Sequence, residues 1–252
     1  MGTRDMLPLL GTETADVTFE ALWWWGRLTR WDVACRLAPL VGSANVEGVL
    51  RDVRLETIVE VCRWDLDLAQ YLARAWDGDP QSLTSTIKDQ AAVPPLADPH
   101  DGGRRQAETT WPHADVAHLW DLGHLELWQN EHSPSPHALA ALPAAIEHSV
   151  WAAQSRVLLP WIETKRQLLV RALIQRFGEA QVNTAADRSG QDQSPIEVGR
   201  LFSVVRALPT HNDAVWRDAS RQLKSARNRL AHLQILNLTE QARLADSCGG
   251  LF

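Results

Sequence analysis

Arg227, Asn228 and His232 fall within six consecutive residues, Arg227-Asn228-Arg229-Leu230-Ala231-His232, near the end of an amphipathic stretch. Arginine stays charged at any workable pH and can hold a phosphate. Histidine is the side chain whose ordinary pKa lets it move protons near neutrality. Kept at a fixed separation, these two residue types can cleave RNA without a metal.

Fixing that separation requires a helix. Between Asn212 and Leu233, the residues Trp216, Ala219, Leu223, Ala226, Leu230 and Leu233 recur at threes and fours and predict a buried stripe. At about 100° per residue, Asn228 and His232 stand about 40° apart on a side nearly opposite the stripe, with Arg217, Arg221 and Lys224 on that same broad side. Arg227 lies nearer the edge of the stripe, about 140° around from His232. One helix alone is therefore a poor site, whereas two copies across a dimer axis can bring both arginines and both histidines around one cleft. The spacing itself is not distinctive. Arg206-Ala207-Leu208-Pro209-Thr210-His211 repeats it, but Pro209 interrupts the helix that the chemistry needs.

The rest of the chain reads as helical almost throughout, giving an all-α bundle. Helices are expected from Thr18 to Leu40 and from Val46 to Trp76, the second with a break near Arg54. Pro-Pro, Asp-Pro and Asp-Gly-Gly steps between Ala92 and Asp115 predict a long loop. Helix resumes from Val116 to Trp128, and a Pro-rich elbow at Ser133–Pro136 leads into a long helical stretch from His137 to Phe177. Pro143 suits its first turn and Pro160 predicts a kink or break. Gly178 to Ser194 is polar and reads as an exposed loop; helices over Pro195 to Leu208, Asn212 to Leu233 and Thr239 to Ser247 close the chain. No run alternates long enough to predict a strand. The organisation expected is an N-terminal helical region over 1–92, a loop or linker over 93–115 and a helical bundle over 116–252.

The net charge of −6 conceals an asymmetry: residues 1–150 carry 11 Lys and Arg against 22 Asp and Glu, while residues 151–252 carry 14 against 9. An anion site on an otherwise acidic protein is therefore best sought near the C-terminus. No apolar run is long enough to cross a bilayer and the first residues lack a signal-peptide stretch, so a cytoplasmic protein without membrane contact is expected. Cys35, Cys62 and Cys248 are too scattered for a disulfide framework or a zinc site. His113, His118, His124 and His132 lie near Asp115, Asp121, Glu126 and Glu131, but no two of these histidines are three or four apart, so no metal is expected. Most of the 12 tryptophans suit core packing, although Trp23, Trp24 and Trp25 cannot all face one core. Glu47, Glu56 and Glu60 read as a charged helix face. Glu147 and His148 lie on the helix expected to pack against the motif, where an acidic side chain could meet Arg227. Phosphate loops, nucleophile elbows and zinc-protease helices are missing from the sequence, and no cofactor is implied.

The closing helix resembles the signature of the HEPN superfamily, small α-helical domains whose nucleases carry Arg, usually a polar residue next, then a few variable positions and His. Arg227, Asn228 and His232 fit that pattern. The resemblance covers the last helices only. It implies a HEPN-like C-terminal domain, a homodimer and a metal-independent endoribonuclease site at the interface, in a toxin–antitoxin, antiviral or RNA-processing setting. In that reading His232 acts on or orients the ribose 2′-OH, Arg227 stabilises charge on the scissile phosphate and Asn228 positions substrate or histidine. Arg217, Arg221, Lys224 and Arg229 would contact the RNA, and the product would carry a 2′,3′-cyclic phosphate. The N-terminal region would regulate the activity or hold a protein partner such as an antitoxin. The alternatives are an inactive HEPN-like interaction module and an enzyme that modifies or senses nucleotides in the same cationic pocket.

Overall fold

A computed structural model describes residues 25–42, 48–90, 116, 119–120, 122–187, 196–209 and 214–249. Among them are ten helices and one two-stranded hairpin: α1 (Arg30–Gly42), α2 (Val49–Cys62), α3 (Leu66–Ala75), α4 (Pro80–Asp89), β1 (Leu125–Trp128), β2 (Glu131–Pro134), α5 (Pro136–Ala140), α6 (Pro143–Phe177), α7 (Glu179–Asp187), α8 (Val198–Ala207), α9 (Ala214–Ala231) and α10 (Leu238–Gly249). The all-α expectation holds for these residues. No helix among them is long and apolar enough to cross a membrane.

Several boundaries differ from those the sequence suggests, each for a local reason. The expected helix from Val46 to Trp76 is two helices, and its break falls at Arg63–Asp65 rather than near Arg54, which is buried inside α2. Arg63 takes a left-handed conformation with φ 54°, and Asp65 then caps α3 by accepting the Leu68 N–H at 2.9 Å. The expected helix to Trp128 gives way to β1, which pairs antiparallel with β2 from Leu125 opposite Pro134 to Trp128 opposite Glu131. Gln129 and Asn130 both have positive φ, as a two-residue hairpin turn requires, although neither is glycine.

The stretch from His137 to Phe177 divides into α5 and α6. Ser135 caps α5, and Pro143 opens α6. Pro160 lies inside a helix that runs on without interruption to Phe177. Beyond it, the expected loop at 178–194 contains α7, whose Val182, Ala185 and Ala186 are buried at helical spacing. Trp23, Trp24, Glu47, His113, Asp115, His118, Asp121 and His211 lie outside the described residues, as does the expected linker.

The described residues form two compact units, one built from residues within 25–42, 58–77 and 82–147, the other from 48–57, 78–81 and 148–249. In the first, Trp25, Leu125 and Leu127 form a small core with Leu119 and Trp120 against it. Trp25 meets Trp120 and His132 edge to face at 5.7 Å, so the last tryptophan of the triplet is a core residue. Beside it, the Glu126 carboxylate accepts from the Gly26 N–H at 2.9 Å and the Trp120 indole at 2.7 Å. Burial pushes the Glu126 carboxyl above its ordinary pKa, against the lowering effect of these bonds. In the second unit, α7 packs on α8, α8 on α9 and α9 on α10, around a core that includes Leu158, Ile162 and Leu169 of α6.

Gly26 has φ +64°, and a Cβ there would come within 2.6 Å of the Leu127 side chain. Gly26→Ala is expected to cost at least about 2 kcal/mol, the left-handed penalty plus displacement of Leu127. Urea unfolding checks this: the midpoint should fall with an unchanged slope.

Candidate functional site

Helix α9 is held by its buried stripe, Ala219, Leu223, Ala226 and Leu230, in the core of the second unit. At its C-terminus the backbone closes a Schellman motif: Gln234 N–H donates to the Arg229 carbonyl at 2.9 Å and Leu233 N–H to that of Leu230 at 3.2 Å. Leu233, with φ 59°, occupies the left-handed position usually given to glycine and is 62% exposed. His232 is therefore the C-cap residue.

Three side chains secure this turn. The Trp151 indole donates to the Leu230 carbonyl at 2.7 Å. Gln154, fully buried on α6, donates to the Leu236 carbonyl and accepts from the Leu236 N–H, both at 2.7 Å. Arg229 donates to the Ile235 carbonyl at 2.7 Å and forms an ion pair with Glu240. Glu240 and Asn237 in turn make a reciprocal capping box at the start of α10, each accepting the other's backbone N–H at 2.9 Å.

With the helix end fixed, Arg227 and His232 are both exposed. Arg227 lines a groove of about 350 Å³ with Leu159, Ile162, Glu163, Arg166, Glu197, Val198 and Gly199. Its Nη1 donates to the Asn228 amide oxygen at 3.5 Å, and among the described residues it makes no ion pair. Of the carboxylates beside it, Glu163 is already taken. Arg166 grips it through Nε at 2.8 Å and Nη2 at 2.5 Å, and these hydrogen bonds pull the Glu163 carboxyl down to a pKa of about 2. Arg166 also donates to the Ile196 carbonyl at 2.7 Å. Glu197 stands at the start of α8 without capping it through its side chain. Arg227 and Asn228 are thus in contact, while His232 stands at the helix end, about 140° around the axis from Arg227 at the helical repeat.

The four cations expected to contact RNA do not share one environment. Arg217 and Arg221 line a cavity of about 950 Å³ formed by α8 and α9, together with Phe202, Arg206, Leu208 and Asp218. Arg221 pairs with Asp218. Lys224 Nζ stands 5.8 Å from the centre of the Phe202 ring. Arg229 is turned instead into the α9–α10 turn, where its guanidinium is occupied.

Other sequence candidates fall into structural contacts. Glu56 pairs with Arg156 and Glu60 with Arg30. Glu147 is exposed, and His148 stacks at 5.2 Å on the Trp151 that grips α9. Cys62 and Cys248 are buried and Cys35 is exposed. Among the described residues no three His, Cys, Asp or Glu side chains are gathered as metal ligands. Glu163, Arg166, Phe202 and Arg206 carry no local sequence signal as site residues, because their relation to α9 arises only when α6 and α8 pack against it. Compared with protein-family models, curated proteins and solved structures, the chain matches none.

Two outcomes are expected. Arg229→Ala should destabilise the second unit by about 2 kcal/mol, the range for a lost charge-assisted bond, measured by chemical unfolding. The Glu163 carboxyl is lower in the folded state than its ordinary value of 4.5, so its pairing stabilises above that pH and is lost as pH falls toward about 2. Glu163 is largely exposed, so screening limits the contribution to less than about 1 kcal/mol. Melting wild type and Glu163→Gln across that window should show the difference near neutrality and its disappearance in acid.

Proposed function

We propose that this chain is a metal-independent endoribonuclease of HEPN type that works as a homodimer. The observation that supports this best is the pair Arg227 and His232: both are exposed, and Arg227 has no carboxylate partner among the described residues although Glu163 and Glu197 line its groove. An arginine left unpaired beside two carboxylates is available to a phosphate. In the reaction, His232 removes the proton of the ribose 2′-OH, O2′ attacks phosphorus, and the bond from phosphorus to O5′ breaks. The products are a 2′,3′-cyclic phosphate and a 5′-hydroxyl end that takes up a proton. Arg227 stabilises the charge gathering on the phosphate oxygens, and Asn228 holds its guanidinium. The two flanks of α9 reach one phosphate when Arg227 comes from one subunit and His232 from the other. Leu233, apolar, exposed and left-handed beside His232, suits an interface at that helix end.

A toxin or defence effector restrained by a protein partner fits such an activity. Trp31 of α1, 74% exposed, is a ready contact for a partner on the N-terminal region, and it also supports the second reading, an inactive HEPN-like interaction module.

Incubation with mixed RNAs in EDTA tests the proposal. Wild type should cleave, while Arg227→Ala and His232→Ala should each lose at least about 100-fold. Mixing the two inactive variants should restore part of the activity, because one subunit then supplies arginine and the other histidine. Equal inactivity of all three proteins with partner binding retained would favour the interaction module, and a strict monomer at high concentration would exclude the shared site.

A further inference from the structure

The seam between α8 and α9 continues beyond the Arg227 groove. The two helices run antiparallel: Val198 and Gly199 lie beside Arg227, Phe202 beside Lys224, and Arg206 shares a cavity with Arg217 and Arg221. Phe202 is half-buried, with Lys224 at 5.8 Å and Arg206 at 5.9 Å from its ring centre. Among the described residues, the wide end of the seam is lined by Arg206, Arg217 and Arg221 with Asp218, and the Arg227 end by Arg166 and Arg227 with Glu163 and Glu197. Positive charge therefore accumulates away from the proposed site of chemistry, around an aromatic ring.

We infer that this seam is a track for one single strand of RNA, in which Phe202 stacks on a base and Arg206, Arg221 and Lys224 hold phosphates. The inference rests on the nuclease reading for its choice of RNA. A strand bound at the wide end lies about 15 Å along α9 from Arg227, ten residues at the helical rise, so its next phosphates are delivered to the Arg227 groove. Cations flanking an aromatic face suit a strand that offers alternating phosphates and bases. Arg206 thus gains a use independent of the Arg-to-His spacing it shares with the motif.

The test uses a fluorescent, uncleavable 2′-O-methyl 12-mer and, separately, a cleavable dinucleotide too short to fill the seam. Arg206→Gln combined with Arg221→Gln should weaken 12-mer binding about tenfold and reduce its salt slope by about 1.4, at about 0.7 per lost phosphate contact. Phe202→Leu should weaken it at least about fivefold with the slope unchanged. Dinucleotide cleavage by wild type reports the proposed chemistry without the seam. Binding within twofold of wild type in folded variants overturns the track, as does polyglutamate that binds as tightly as RNA with the same dependence on Phe202. Seam-dependent binding without cleavage by wild type would sustain the track and overturn the nuclease; cleavage with seam-independent binding would do the reverse.

Discussion

The carbonyl groups left over where α9 ends must find donors, and how they find them fixes the positions of Arg227 and His232. Trp151, Gln154 and Arg229 each donate to a carbonyl of the last turn or of the segment that follows it. A helix end buried on one side without such donors would fray and carry His232 with it. The turn into α10 is held equally firmly, because Asn237 and Glu240 satisfy each other's backbone donors and Glu240 also pairs with Arg229. The proposed histidine therefore projects from a rigid cap although its own side chain is exposed. Rigid support beneath an open side chain is what general acid–base chemistry requires.

Electrostatics divides α9 into regions. Arg229 serves the fold, Arg221 is partly neutralised by Asp218, Lys224 lies over Phe202, and Arg227 faces a groove in which Glu163 is already paired. One basic stripe in the sequence is thus several environments in the structure. Net charge says nothing of this, since the whole chain is acidic and the basic surface is local.

Much of the architecture was legible because large apolar residues mark it. The stripe from Trp216 to Leu230 located α9, and its limits at Ala214 and Ala231 lie close to those expected. Where the marks are small or brief, reading failed. The buried face of α7 uses Ala185 and Ala186 with Val182, residues too small to announce a core. The hairpin strands have four residues each, and its turn, Gln129-Asn130, lacks the glycine that usually signals such a loop. Within the candidate site, Arg227, Asn228 and His232 were visible as a local motif, whereas Glu163 and Arg166 approach from α6 across more than sixty positions of sequence. Arg229 shows the limit most plainly. Its type and spacing matched those of its basic neighbours, but a carbonyl at Ile235 and a carboxylate at Glu240 had claimed it.

The grip of Arg166 on Glu163 has a consequence for how the surface could evolve. Glu163 shares a groove with Arg227, and a carboxylate without another partner there would compete with any incoming phosphate for the same guanidinium. Arg166 withdraws that competitor by satisfying both its oxygens. Drift at position 166 could therefore silence the groove without touching the motif: the arginine and histidine would remain legible in the sequence, while an internal counter-ion occupied the place of the ligand.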